Sequence, residues 1–343
     1  MKLAIVSTTI QGEKGYLPFD TLAAKSRFSD VTFVIAGDTS SAPFDTSRFT
    51  CNVEHLSAQE QERFAVSDII GWKTPRRRPT AWLRALEMKP DYVLTIDDDN
   101  IPPDDYFEKW YDIITSPKTA IAVASGNEER ELWHNYLRTS DSPIPVYPRG
   151  FPFPFRGEDT TKIEKTAIPI APENIGVFQA VSLYDPDIDA VSKLVYEKPL
   201  RISAVGEKNY CLQNVWSPYN TQSTMLTKHL FPLPILWVGA GRMDDIYASF
   251  AWQQLLFNNG LYAHIGDPIN NQDRGVRDIF NADFTLEVHG YLEAHEVWRQ
   301  VRTIDEKDGV RFLEKLMTLP HPSIQKERIF FEAYLKDIRT ILT

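Results

Sequence analysis

The stretch Tyr92-Val-Leu-Thr-Ile-Asp97-Asp98-Asp99-Asn100-Ile-Pro102 organises the chain. Tyr92 to Ile96 is short, apolar and β-branched, the pattern of a buried strand. Three aspartates follow at its C-terminal end. In an open α/β sheet, ligands bind outside that edge. Adjacent carboxylates repel one another, and a divalent cation is their usual compensator. Oxygen donors suit Mg²⁺ or Mn²⁺, so Asp97, Asp98 and Asp99 are the candidate metal ligands. A cation there also neutralises charge on a diphosphate, which makes Asp97 and Asp98 candidates for holding a nucleotide. The alternative is an acidic turn capping the next helix.

Outward from this stretch, the pattern is that of an α/β protein. Leu3–Thr9, Val31–Ala36 and Asn52–His55 read as strands before it. Ala120–Ala124, Val177–Leu183, Leu233–Val238 and Leu261–Ile265 read as strands after it. The second strand ends in Gly37-Asp38, where Asp38 is either a turn residue or an acceptor for a base or ribose. Lys73, Arg76, Arg77 and Arg78 cluster just before a helix that Pro79 opens. A basic cluster ahead of a helix N-terminus suits a diphosphate, with Arg78 the favoured residue; a solvated charge run is the other reading.

Residues 138–175 are rich in proline and aromatics and read as a stiff loop. At their centre, Arg149-Gly-Phe-Pro-Phe-Pro-Phe-Arg156 presents two guanidinium groups to an anion or sugar, or pairs them in the core. Ser217 to Leu226 is rich in hydroxyls and amides that suit a sugar. Asp244 and Asp245 open a helix, either as caps or as groups that orient and deprotonate an acceptor hydroxyl. The loop Gly266–Arg274 is expected to complete the pocket. His264, His289 and Asp267 are weaker candidates for a further metal contact.

Composition narrows the function. The 343 residues carry a formal charge of −10, which argues against general binding to nucleic acid or anionic lipid. Cys51 and Cys211 fit neither a disulfide framework nor a metal motif. No apolar run approaches a membrane span. The expectation is a soluble cytoplasmic protein, with peripheral attachment to a membrane assembly left open. The C-terminal apolar residues Phe330, Phe331, Tyr334, Leu335, Ile338, Ile341 and Leu342 recur at helical spacing. They form a packing face, or one for a homo-oligomer.

Four of these segments also resemble, in order, signatures of the reversibly glycosylated polypeptide family, the UDP-arabinopyranose mutases. Ile96 to Pro102 resembles its acidic triplet. Arg149 to Arg156 looks like its RGYPFSLR motif, Asp185-Pro-Asp-Ile-Asp189-Ala its PDYDA segment, and Gly241-Arg-Met-Asp-Asp-Ile its GRYDDMW segment. The resemblance spans roughly residues 70 to 275. It implies a GT-A-type, Rossmann-like nucleotide-sugar-binding fold with a mixed central sheet and C-terminal helices. It implies a UDP-sugar and Mn²⁺ or Mg²⁺. It places the reversibly glycosylated arginine at Arg149 and the second functional arginine at Arg156. The chain departs from the family at Thr221–Ser223 and at Pro268–Gln272, where sugar or acceptor is expected.

The sequence reading is therefore a catalytic domain over 1–283 with a helical extension over 284–343. Its leading function is a metal-dependent glycosyltransferase with a UDP-sugar donor and a carbohydrate acceptor. Arg149, Arg156, Asp244 and Asp245 are the catalytic candidates, and Asp38, Arg78, Asp97 and Asp98 hold the nucleotide. A UDP-sugar pyranose/furanose mutase, with no external acceptor, is the second reading. A non-catalytic nucleotide-sugar-binding subunit is the third.

Overall fold

A computed structural model describes residues 1–157, 160–195, 200–272 and 278–342. Its centre is a mixed sheet. The strands are β1 (Lys2–Thr8), β2 (Asp30–Ala36), β3 (Asn52–Leu56), β4 (Tyr92–Ile96), β5 (Asn100–Ile101), β6 (Lys118–Val123), β7 (Lys162–Ile170), β8 (Ile175–Tyr184), β9 (Tyr210–Leu212), β10 (Ser223–Thr227) and β11 (Tyr262–Gln272). Their order is β3-β2-β1-β4-β10-β8-β11-β9-β6-β7, with β5 on β11. β1 to β4 pair in parallel, and β10 runs antiparallel between β4 and β8.

The apolar runs of β1, β2 and β4 follow from burial on both faces. Ala4, Val6, Val34 and Val93 point into one core with the helices Arg78–Glu87, Asp244–Asn258 and Arg328–Leu342. Leu3, Ile5, Phe33, Leu94 and Ile96 point into the other with the helix Tyr106–Thr115. The helix Asp244–Asn258 is apolar on nearly every side and buried throughout Asp245–Phe257, as a central helix must be. No described helix is long and apolar enough to cross a membrane.

Several expectations change. Leu233–Val238 is not a strand: Pro232 and Pro234 break the ladder, and the segment turns beneath the helix Asp244–Asn258, with Trp252 Nε1 donating to Pro234 O. The supposed loop 138–175 contains β7, an edge strand whose exposed side chains hid its period. Most of the loop after Gly266 is instead the continuation of β11, irregular against β8; Asp273 and Arg274 lie outside the described residues. The hydroxyl-rich run ends in β10, fully buried.

Most of the C-terminal stripe is covered by its own chain, while Leu342 at its end is exposed. Phe330, Phe331, Tyr334, Leu335 and Ile338 are buried, and Trp82 Nε1 donates to Tyr334 Oη at 2.9 Å. Asp337 accepts the backbone N–H groups of Ala65 and Val66.

Candidate active site

β1 and β4 are parallel neighbours, so their C-terminal ends open together. Beyond Ile96 the chain turns: Asn100 N donates to Asp97 O, and Asp97 N donates to Asn100 Oδ1. Beyond Thr8, Thr9 Oγ1 reaches Asp98 Oδ2 at 2.6 Å. Gly15 lies against the Asp98 carbonyl, where an added Cβ would come within 2.4 Å of the oxygen, so only glycine fits.

These ends line a cavity of about 610 Å³, a size that suits a nucleotide-scale ligand. Its cationic lining residues are Lys73, Arg76, Arg78, Arg149 and Arg242. Its anionic ones are Asp97, Asp98, Asp99, Asp187, Asp244 and Asp245. The acidic triplet thus faces the basic loop and the start of the helix Asp244–Asn258. Thr221 and Gln222, just before β10, lie between them.

A continuous charged chain crosses the floor. Arg78 donates to Asp97 Oδ1 and to Thr221 Oγ1, each at 2.5 Å. Thr221 N donates to Asp245 Oδ2 at 3.1 Å. Asp245 pairs with Arg149 at 3.0 Å, and Arg149 forks onto Asp187 with contacts of 2.8 to 3.1 Å. Arg149 also donates to Arg242 O. Burial works against the charge of Arg149, but Asp187 and Asp245 overcome it and hold its pKa well above the usual value. Arg78 is likewise opposed by burial and sustained by Asp97.

The carboxylates differ. Burial, with the charges of Asp97 and Asp99 added to it, raises Asp98. Asp244 is pushed up to about 6 by burial and by Asp245 beside it. Its side chain is 20 % exposed, 3.5 Å from Arg76 Nε. A carboxylate of that pKa is matched to proton transfer near neutral pH.

The triplet does not form a ready metal cage. Asp97 turns to Arg78, Asp98 to Thr9, and Asp99 accepts from Gln272 Nε2 at 2.9 Å. Among the described residues, no group of three or more His, Cys, Asp or Glu side chains is arranged to hold a metal ion. Adjacency in sequence does not converge side chains across a turn.

Other expected residues lie elsewhere. The Asp38 carboxylate receives the backbone N–H groups of Lys73 and Thr74 at 2.9 and 3.2 Å; these hydrogen bonds lower its pKa against the effect of burial. Asp38 anchors the basic loop and is not a lining residue. Arg77 is buried under Trp72, 3.7 Å from its ring, and hydrogen-bonds Gln61 and Ser67. Arg156 pairs with Asp189 at 3.3 Å over the Phe153 ring, away from the cavity lining. The arginines of the aromatic loop thus part: Arg149 takes Asp187 and the cavity, Arg156 takes Asp189 and the helix that Asp189 caps. His264 is buried in the sheet, His289 faces Ala240 O, and Asp267 pairs with Lys208. None of these lines the cavity.

Asp187 and Arg242 had no individual role in the sequence, and Thr221 stood only within the hydroxyl-rich run expected to suit a sugar. Asp187 had a signal: two aspartates spaced by one residue, matching two arginines in one loop. Replacing Arg78 by Lys is expected to cost about 2 kcal/mol, because an ammonium cannot span both Asp97 and Thr221. Urea unfolding checks this.

No protein-family model matches the chain, and no curated protein matches it in sequence. Among solved structures, it is similar to one titled as a mycobacterial protein, with a TM-score of 0.37 and 11% identity over 94% of this chain and 76% of that one. It is also similar to residues 1–349 of TarS from S. aureus, with a TM-score of 0.29 and 10% identity over 99% and 91%. At such scores the likeness carries nothing about activity. The topology itself defines an α/β protein with a mixed central sheet and C-terminal helices.

Proposed function

We propose that the chain is a glycosyltransferase of GT-A type that takes a UDP-sugar donor and a carbohydrate acceptor. One observation carries this reading. A single cavity at the β1/β4 edge sets Arg76, Arg78, Arg149 and Arg242 opposite Asp97–Asp99, with Asp244 and Asp245 on its wall. Guanidinium groups suit a diphosphate, and the carboxylates suit sugar hydroxyls. In this reading Arg78 and Arg149, fixed by their ion pairs, stabilise the departing diphosphate without reorganising. Asp244 takes the proton of the acceptor hydroxyl.

The lining carries more carboxylates than cations, and a diphosphate adds further negative charge. A divalent cation suits that excess. Mg²⁺ is commonly held by one or two carboxylates together with substrate phosphates, which needs no cage of three protein ligands. Asp98, whose charge burial and its neighbours disfavour, and Asp97 or Asp99 would hold it. The cation would neutralise the diphosphate oxygens.

The mutase reading needs Arg149 as a nucleophile with a free lone pair. Arg149 is instead held protonated between Asp187 and Asp245, which favours the transferase.

The test is a panel of UDP-sugars incubated with Mn²⁺, with products separated by chromatography and the intact protein weighed. Free UDP and an unmodified protein are expected. An isomerised UDP-sugar, or a protein heavier by one sugar at Arg149, would establish the mutase reading instead. Tight UDP binding without turnover would leave a binding subunit. EDTA is expected to weaken UDP binding at least tenfold on the order of one charge-assisted contact. Asp98→Asn is expected to remove that metal dependence, and unchanged dependence would refute the metal assignment.

A further inference from the structure

The C-terminal helices reach the site. Glu327 sits at the turn before the helix Arg328–Leu342, with no exposed surface. The Gly239 backbone N–H faces this carboxyl, but neither oxygen makes a well-formed hydrogen bond. A buried carboxyl left in that condition costs free energy, and a packing role would be served by an apolar side chain. Glu327 lies against Gly239, where a Cβ would stand 2.8 Å from its Oε1. Gly239 opens the turn that leads to Arg242, Asp244 and Asp245.

The charged groups that act on Glu327 are Asp244, Arg76 and Lys326. Those that act on Asp244 are Asp245, Arg149 and Arg76. Arg76 is common to both sets. Its grip on Asp244 is loose: Nε is 3.5 Å from Oδ2 and makes no hydrogen bond. Asp38 fixes the backbone of Lys73 and Thr74, just upstream, so the Arg76 side chain moves from a held base.

We propose that Glu327 is a positioning residue of this site, which acts through Arg76 as a second carboxyl competing with Asp244 and with a bound diphosphate for that guanidinium. Burial pushes Glu327 up to about 7 and the charge on Asp244 adds to the rise, so its charge changes within the working range of Asp244. While Glu327 is neutral, Arg76 is free to serve the cavity. Once it ionises, Arg76 is drawn toward the C-terminal helices and away from the ligand. By linkage, a ligand that needs Arg76 binds more weakly as pH rises through the Glu327 midpoint.

This inference rests on the diphosphate reading only for its binding arm. UDP affinity, measured by calorimetry in Mg²⁺ buffer from pH 6 to 9, is expected to fall several-fold above pH 7 in the wild type. In Glu327→Gln the affinity at pH 6 is retained and that fall disappears. The ionisation of UDP itself is common to both proteins. An equal fall in both overturns the proposal. If neither protein binds UDP at any pH, the functional reading fails, and the ¹³C resonance of the Glu327 carboxyl decides the positioning role. Asp244→Asn is expected to lower its midpoint and Arg76→Met to raise it. A midpoint that neither change moves overturns the proposal.

Discussion

Asp244→Asn is expected to abolish most turnover while making the protein more stable at pH 7.5. Loss of a general base costs about 10²- to 10⁴-fold in rate. The gain in stability follows from the raised pKa. Asp244 ionises near its ordinary value of 3.8 when unfolded and at about 6 when folded. Below pH 3.8 both states are protonated and the fold bears no penalty. Between the two values the unfolded state alone releases its proton, so stability falls. Above pH 6 the penalty is complete. Asparagine never carries it, and the expected gain is about 3 kcal/mol. Urea unfolding at pH 4 and pH 7.5 checks this: the advantage of the variant should be confined to the higher pH. Transfer by the wild type should rise with pH through about 6. A variant that is both slower and less stable at pH 7.5 would mean that Asp244 serves as a helix-end residue and not as a strained base.

Arg149→Met should be the most damaging single change to the fold. Asp187 and Asp245 are both buried, with side chains 3% and 7% exposed. Both lose their cation together. Breaking a buried pair at one partner costs about 3–5 kcal/mol, because the remaining charge is stranded. The loss should shrink as pH falls, since a stranded carboxylate escapes by taking a proton. Adding Asp187→Asn to Arg149→Met should recover part of the stability, the two residues being in direct contact. Denaturant midpoints for the single and double variants measure this. Arg149→Lys is expected to remain well below the wild type, since an ammonium cannot match the fork onto Asp187 while also reaching Asp245. If Arg149→Met unfolds like the wild type, the ion network is not what holds this part of the cavity.

How legible the chain was depends on the range of the interactions. The parallel strands β1, β2 and β4 could be read because each is apolar on both faces, a local property. The helix from Arg78 could be read from Pro79 and the apolar spacing of Trp82, Leu83 and Leu86. The acidic triplet could be placed at a strand end because Ile96 is the last apolar residue before it. Strand Lys162–Ile170 could not be read, since its exposure leaves little alternation. Leu233–Val238 misled for the opposite reason: it is apolar enough for a strand, but Pro232 and Pro234 forbid the ladder.

The site divides in the same way. The sequence by itself determined the kinds of group available: carboxylates at a strand edge, arginines before a helix and in a rigid loop, and acids opening a helix. Which of them meet was decided by the tertiary structure. Arg149 and Arg156 share one loop, yet Asp187 draws the first to the cavity and Asp189 the second away from it. Arg77 and Arg78 are adjacent, yet one stacks under Trp72 and the other spans Asp97 and Thr221. Asp38 holds a loop and stays off the cavity lining, and Glu327 lies more than a hundred residues beyond Thr221. Charge type is a property of each residue. Pairing and pKa depend on which strands lie side by side and on how much water is left between the groups, and those are settled only when the chain closes on itself.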